Sequence, residues 1–259
     1  MKKIFLAIVL VTLFSFSFNR AKAQLIDEKN VTFTMDLQPI LQLNMETPDQ
    51  MSFVFDEIDK YYGGITKYGA TTLKISSTVN WDLYAIGLSN GTVGTGKFWD
   101  QVLKYGTNAT GAIDSIPLSA LEIHQSHVNP CVTASVVGAA DYSGKFTAAT
   151  ATTDSANSNS VYYDPSVIET PPLIGEKYIA GMKTTGATKS VDGGSYMTQS
   201  GSSSDYYYTL DYRIIPGLPV RFPKAFPPTG TTSDEIATGK YAQPGVYTMY
   251  VKYVLLEDQ

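Results

Sequence analysis

The chain has 259 residues, of which 17% are charged and 12% are aromatic, so its composition argues against disorder. One cysteine and two histidines exclude an internal disulfide framework, a thiolate zinc cluster and an iron–sulfur site. Because this inventory leaves few parts for catalysis, we expect a protein that is not an enzyme and that carries no cofactor.

The first 23 residues have the three parts of a secretory signal peptide. A basic start is followed by an apolar run over residues 4–18, and a small-x-small triplet ends at Ala23. The apolar run is shorter than the roughly 20 residues of a membrane-spanning helix. We therefore expect cleavage before Gln24, no membrane span afterwards, and one exported domain over residues 24–259. The expected location is the cell surface or the medium, with the periplasm as the other possibility.

Cleavage makes the chain more acidic. Without Lys2, Lys3, Arg20 and Lys22, fifteen basic residues remain against 24 acidic ones, a net charge of −9. Such a surface repels phosphate backbones, so nucleic acid is not an expected partner. Cys131 then has no internal partner; we expect a small buried side chain, and a reactive or intermolecular thiol is the alternative.

Alternation of apolar and polar residues predicts strands along most of the chain. Residues 31–45 follow this pattern around Pro39, which is typical of an edge strand that crosses between two sheets. Residues 71–85 repeat it and place Trp81 in the predicted core. Helical spacing is confined to a short predicted helix at residues 97–105. Further predicted strands cover residues 51–55, 116–124, 131–137, 205–215 and 246–256.

Segments rich in Gly, Ala, Ser and Thr near residues 138–160 and 181–205 predict long loops or weakly specified hairpins between the strands. Many strands, turn residues between them and an aromatic core favour an all-β fold, an antiparallel β-sandwich with loop insertions.

Two short motifs are typical of enzymes but lack their context. Residues 87–91 spell G-x-S-x-G around Ser89, yet glycine-rich turn residues follow where a nucleophile elbow needs a helix. Residues 91–97 spell G-x-x-x-x-G-K, but Phe98 replaces the hydroxyl residue that binds magnesium in a phosphate-binding loop. We interpret both as glycine-rich turns.

Metal binding has two weak candidates. Glu122 and His124 share a face of a predicted strand, whereas His127 points the other way. A second acidic group lacks the spacing of a calcium loop; its members are Asp56, Glu57 and Asp59. We expect no metal site, and calcium at the acidic group stays open as an alternative.

Clustered tyrosines are the remaining functional hint, because tyrosine can stack on sugar rings or form protein interfaces. The candidate contact residues for a glycan or a protein partner are Tyr61, Tyr62, Tyr162, Tyr163, Tyr206 and Tyr207.

Two segments resemble strands of secreted WxL-like and pilin-like immunoglobulin-type sandwiches. They are residues 73–85, LKISSTVNWDLYA, and residues 244–253, PGVYTMYVKY. The cleavage site followed by Gln24 resembles exported proteins of the Bacteroidota. The resemblance implies an immunoglobulin-like β-sandwich at the cell surface. The second Trp-x-Leu of a WxL domain is missing, so peptidoglycan binding is not implied.

These features predict an exported, non-enzymatic surface protein that acts as a structural, adhesive or filament subunit, with other subunits or itself as partners. In pilin-like assembly an extended segment of one subunit completes the sheet of the next. Residues 24–45 would be the donor segment here, and residues 246–256 its neighbour. The alternative is a secreted or periplasmic module that binds polysaccharide through exposed tyrosines.

Overall fold

A computed structural model describes most of the chain after residue 30. The described residues are 29, 31–91, 96–106, 112–132, 140–147, 159–163, 171–172, 177–184, 187–198, 205–216 and 241–257. The predicted signal peptide lies outside them, as do most of the predicted strand at 131–137 and much of both predicted loops. The chain divides into two compact units, Met1–Gln38 and Pro39–Gln259.

Strands dominate the described residues, and the prediction of an all-β fold is confirmed. The strands are β1 (Leu41–Met45), β2 (Ile65–Ser77), β3 (Trp81–Leu88), β4 (Asp100–Lys104), β5 (Ala112–Ile113), β6 (Leu121–Gln125), β7 (Met182–Thr184), β8 (Ala187–Lys189), β9 (Gly194–Ser195), β10 (Tyr207–Ile214), β11 (Tyr241–Ala242), β12 (Gly245–Thr248) and β13 (Tyr250–Glu257). One short helix, α1 (Ile58–Gly63), and two single 3₁₀ turns, Leu118–Ala120 and Tyr196–Thr198, complete the described elements. None of the described helices has the length and apolar composition needed to cross a membrane.

The larger sheet has the strand order β1-β2-β10-β6, and β9 also pairs with β2. Its pairings are antiparallel, and their register aligns apolar residues on one face. Leu73 lies opposite Tyr208, and Tyr212 lies opposite Ile123, all four within the core. Period-two alternation therefore gives this sheet one apolar and one polar face.

The second layer is built from two strand pairs, β3 with β13 and β4 with β12. In the first pair Leu83 lies opposite Leu255, and both pack in the same core as the larger sheet. Trp81 is fully buried there, as predicted. A parallel contact of two residues joins β5 to β11. These layers agree with a β-sandwich, and the immunoglobulin-like strand order stays a prediction.

The predicted helix at residues 97–105 is wrong, since β4 occupies residues 100–104 and pairs with β12. Val102 and Leu103, assigned to the buried helix face, are 64 and 51% exposed. The spacing of these apolar residues fits a short helix as well as a strand, and the ladder with β12 determines the outcome.

Five predicted strands differ from the observed ones. Residues 116–124 contain a 3₁₀ turn before β6, and residues 246–256 are two strands, β12 and β13, in different sheets. Residues 71–85 are two strands in different sheets, because the Ser77 hydroxyl bonds to the backbone of Val79 and supports a turn between them. Residues 51–55 belong to no strand. Of residues 31–45, only β1, after Pro39, is a strand; proline has no N–H to donate to a ladder.

One side of the sandwich is closed by irregular segments. Ala180 and Val191 form isolated bridges with the outer edge of β3, and Ser160 forms one with the outer edge of β6. The backbone N–H of Gly87 also donates to Tyr162 O at 2.7 Å. On the opposite side, where β1 and β13 lie, no described residue forms an isolated bridge with either strand. These two strands form part of the candidate site.

Candidate functional site

The outer edges of β1 and β13 lie next to each other on the side of the sandwich opposite the bridging segments, and no described segment pairs with either edge. Within the described residues, β1 pairs with β2 alone and β13 pairs with β3 alone. A shallow groove of about 310 Å³ runs between them and is here called the seam. Its lining residues are Leu41, Leu43, Lys252, Tyr253, Val254 and Leu255. Because edge strands carry unpaired backbone groups, the seam can accept another extended segment.

The N-terminal unit carries an apolar stripe at residues 31–37. Val31, Phe33, Met35 and Leu37 are 74, 91, 81 and 82% exposed. Polar residues alternate with them along this segment, so an extended backbone puts the four apolar side chains on one face. The prediction of a strand is wrong for these residues, and their alternating apolar side chains are exposed.

A larger groove of about 1040 Å³ opens between the inner face of the five-stranded sheet and residues 242–253. Residues 51–55 form its outer wall, with Met51, Phe53 and Phe55 half-buried against the core. We call it the aromatic groove because eight of its lining residues have rings: Phe53, Phe55, Tyr61, Trp99, Tyr105, Tyr212, Tyr247 and Tyr253.

Several tyrosine hydroxyls of the aromatic groove are already engaged. Tyr212 donates to Thr71 Oγ1 at 2.8 Å and is also hydrogen-bonded to the hydroxyl of Tyr253. Tyr247 donates to Gln243 O at 2.7 Å and accepts from Gln101 Nε2 at 2.9 Å. Burial raises the pKa of Tyr247 to about 12. These rings therefore present neutral, largely apolar faces to the groove.

Trp99 differs from these tyrosines because its polar group is not hydrogen-bonded to any described residue. Its indole Nε1 is buried and has no hydrogen-bond partner within the described part of the chain. Asp49 is the sole charged residue in the described lining of the groove. Lys67 contacts Phe53, with its Nζ 5.5 Å from the ring centroid, but does not line the cavity.

The predicted tyrosine clusters lie apart and differ in exposure. Tyr61 is half-buried, packs on Phe55 with ring centroids 5.2 Å apart, and lines the aromatic groove. Tyr62 belongs to α1, but its side chain lies outside the described part of the structure. Tyr162 and Tyr163 are 4 and 2% exposed. Their rings are therefore part of the packed interior and are not surface platforms.

Tyr206 and Tyr207 lie on opposite sides of the backbone at the start of β10. The half-buried Tyr206 packs on Trp81, with ring centroids 6.0 Å apart, and its hydroxyl donates to Asp192 O at 2.9 Å. Tyr207 is 37% exposed, and its ring centroid lies 5.4 Å from Nζ of Lys74. Of the predicted contact residues with described side chains, Tyr207 is the most exposed.

The predicted histidine and serine candidates do not form a catalytic group. Ser89 directly follows β3, whose neighbour is antiparallel, whereas a nucleophile elbow follows a parallel strand. His124 Nδ1 lies 2.9 Å from Asp211 Oδ2, and His127 Nε2 lies 3.0 Å from Asp205 Oδ1. Both histidines thus have carboxylate partners that are distant in sequence, which local spacing does not reveal.

A buried ionic cluster lies on the face of the larger sheet that points away from the core. Arg213 donates to the carboxylate of the fully buried Glu122 and stacks over Phe146, 4.6 Å from its centroid. Lys177 donates to Ser160 O at 2.7 Å. Burial raises the pKa of Glu122 and lowers that of Lys177 to about 7. The cluster connects the segments that contain Phe146, Ser160 and Lys177 to the larger sheet.

The remaining candidates are simple contacts. Asp56 forms an ion pair with Lys60 one turn later, and this hydrogen bond lowers the pKa of Asp56. The part of the chain that the structure describes contains no group of three or more His, Cys, Asp or Glu residues that could hold a metal.

Cys131 is half-buried in a turn, and burial raises the pKa of its thiol.

No protein-family model matches the sequence, and no curated protein matches it either. The function of the chain is therefore argued from the stripe, the seam and the aromatic groove.

Proposed function

We propose that this chain is an exported, non-enzymatic protein of the cell surface that serves as a structural, adhesive or filament subunit. Its subunits join when the stripe of one copy adds to the seam of the next. The observation that carries the proposal is the exposure of four large apolar side chains, at alternate positions of residues 31–37.

The free energy of burial supports an interaction role for the stripe. Full burial of a Val, Phe, Met or Leu side chain contributes about 1.5–3 kcal/mol, so four of them contribute roughly 6–12 kcal/mol before the entropy of association is subtracted. Contiguous exposed apolar surface on a soluble protein marks an interaction site. A second subunit provides the cover that the stripe lacks.

The seam has the chemistry that such a segment needs. Backbone groups on the edges of β1 and β13 can pair with an added strand, and alternate side chains of that strand can enter the groove between the sheets. Leu43 and Tyr253 provide an apolar floor. The seam carries one cation, Lys252, and the stripe segment one anion, Asp36, so charge does not oppose the contact.

Assembly of the purified chain from Gln24 onward tests the proposal, measured by light scattering and negative-stain electron microscopy. We expect the double variant Phe33→Asp, Met35→Asp to stay monomeric. The matched control, Thr32→Asp, Thr34→Asp, places the same charge on the other face and should assemble. A wild-type chain that remains monomeric at all concentrations would contradict self-assembly.

The acceptor side has its own pair of variants. Leu41→Glu introduces a charge into the seam and should abolish assembly, whereas Gln42→Glu changes the neighbouring residue and should not. If both Leu41→Glu and Gln42→Glu assemble while the stripe variant does not, the stripe binds another surface and the seam is excluded.

Location is a separate test. Immunogold microscopy of intact cells, with antibody against residues 24–259, should label the surface or extended fibres. Label that appears only after permeabilisation places the protein in the periplasm and contradicts a surface role.

A second candidate function is polysaccharide binding, favoured by the open ring of Tyr207. Tyr196 lies on the other side of the same lysine, with its ring centroid 5.0 Å from Lys74 Nζ, so two rings and a cation share one surface patch. Retention of the chain on polysaccharide that is lost in Tyr207→Ala, with the fold intact, would support this function. Absence of retention by the wild type would exclude it.

A further inference from the structure

The aromatic groove is a separate cavity from the seam, although Leu43 and Tyr253 line both. We propose that it binds an uncharged, largely apolar small molecule of the class of long-chain alcohols and other neutral lipids. Nε1 of Trp99 is closed to solvent in the free chain, so the ring has to turn before a polar atom of that molecule can accept its hydrogen bond.

The size and lining of the groove suit such a ligand. Its volume of about 1040 Å³ lies just above the roughly 300–1,000 Å³ typical of small-molecule sites. Aliphatic residues such as Leu73, Met249 and Val251 separate the rings on its walls. An apolar chain in this space supplies the van der Waals contacts that facing protein atoms supply in a packed core.

The charges of the groove exclude anions and favour a neutral ligand. The described lining has no Lys, Arg or His, and its one charged residue is the acidic Asp49. A carboxylate or phosphate would lose its hydration without gaining a cationic partner. A fatty acid anion is therefore a poor ligand, and an alcohol with the same chain is a good one.

The hydrogen-bonding groups of the groove favour this ligand over a sugar. A glycan needs many donors and acceptors, but the hydroxyls of Tyr212, Tyr247 and Tyr253 already bond to protein groups. Trp99 Nε1 is a buried donor without a partner in the described chain, and indole nitrogen can only donate. One acceptor on an apolar body matches this arrangement.

The groove can be entered without opening a sheet. Its outer wall, residues 51–55, has no regular secondary structure and makes no ladder pairing within the described chain. Val54 in this wall and Tyr105 at the rim are 61 and 54% exposed. Segments held by few backbone hydrogen bonds open at low free energy, so a ligand can pass them by local movement.

Fluorescence titration of the chain from Gln24 onward with 1-decanol and with decanoate tests the proposal. Trp81 and Trp99 are the two tryptophans of the sequence, and Trp99 lines the groove while Trp81 lies in the core. We expect saturable binding of decanol with a change in emission, and at least roughly tenfold weaker binding of decanoate. The change should disappear in Trp99→Phe.

A neutral fluorescent probe, N-phenyl-1-naphthylamine, measures occupancy without relying on tryptophan. Ala242→Phe fills the groove and should abolish probe binding, whereas Met197→Phe adds a ring at an exposed site outside it and should not. Trp99→Phe replaces the indole by another aromatic ring that lacks the N–H donor. Decanol should therefore displace the probe with roughly 2- to 10-fold lower affinity. Circular dichroism confirms that each variant is folded.

Three results would overturn the proposal. One is absence of saturable binding of both decanol and the probe by the folded wild type. Another is binding that neither Ala242→Phe nor Trp99→Phe changes. The third is displacement of the probe by a peptide of residues 31–45 but not by its Phe33→Asp, Met35→Asp version, which assigns the groove to the stripe of a second copy.

Discussion

The side-chain amide of Asn129 makes both hydrogen bonds that the backbone of Gly181 can form. Its Nδ2 donates to Gly181 O at 2.7 Å, and its Oδ1 accepts from Gly181 N at 3.0 Å. Gly181 has a φ of +77°, and a Cβ there would lie 1.9 Å from a carboxylate oxygen of Asp82. This pair holds the segment that bridges to β3 and keeps that side of the sandwich closed.

The Asn129→Ala variant should lose about 2–4 kcal/mol of unfolding free energy, because it leaves buried backbone groups of Gly181 unpaired. Urea denaturation measures the loss. Asn44→Ala in β1, which removes one exposed contact with Gln42, should change stability by less than about 0.5 kcal/mol. Equal effects of the two substitutions would show that the Asn129 pair does not stabilise the fold.

Stability should rise with pH between about pH 7 and 8.5, because Lys177 has a pKa of about 7 in the folded chain and an ordinary, higher pKa when unfolded. In that window the unfolded state binds more protons, so deprotonation favours folding with a slope of up to about 1.4 kcal/mol per pH unit. At higher pH Cys131 acts in the opposite direction, since burial raises the pKa of its thiol in the folded chain. Glu122, whose folded pKa is raised, acts in the opposite direction above its unfolded pKa, as that carboxyl ionises.

Urea midpoints recorded across this pH range measure the effect. Lys177→Met keeps the length of the side chain without its charge and should flatten the curve. Lys183→Met, at an exposed position, should retain the wild-type slope. A wild-type curve that is flat over this range would mean that the lysine stays protonated in the folded chain.

Tyr163→Ala and Tyr207→Ala should have very different effects although both tyrosines belong to predicted contact clusters. Tyr163 is 2% exposed in the core, so its loss should cost about 3–5 kcal/mol through the cavity it leaves. Tyr207 is 37% exposed, so its loss should cost less than about 1 kcal/mol, including its contact with Lys74. Thermal melts of the two variants compare them directly.

The exported chain should begin at Gln24, as measured by intact mass or N-terminal sequencing. Small residues are required at the first and third positions of the Ala-Lys-Ala triplet. Ala23→Arg should therefore accumulate an unprocessed precursor, while Lys22→Gln, at the unconstrained middle position, should be processed normally. Processing of Ala23→Arg at the same bond would contradict the predicted cleavage rule.

Much of the strand pattern could be predicted because alternation depends on local sequence alone. The spacing of Leu73 and Ile75 and the aromatic density near Tyr208 indicate strands wherever their partners lie. The prediction of a helix around Val102 is wrong because a pattern of a few apolar residues fits both the helical and the strand periodicity. Pairing with β12, which local sequence does not show, makes this segment a strand.

The candidate site could be predicted only in part. The apolar face of residues 31–37 is visible in the sequence, but its exposure is not, because alternation does not show what covers a face. The seam and the aromatic groove depend on which edges stay unpaired and on contacts between segments far apart. Trp99 and Tyr253, for example, are 154 positions apart and line the same cavity. No local sequence motif predicts that two residues so far apart line one cavity.

The pairing of β3 with β13 also determines when the sandwich can be completed. It joins residues 81–88 to residues 250–257, so a long loop must be closed before the second layer forms. Such topologies fold slowly. In a chain that crosses a membrane N-terminus first, the stripe emerges before β13 is there to form one wall of the seam. If subunits join as proposed, folding order alone delays that joining until β13 has arrived.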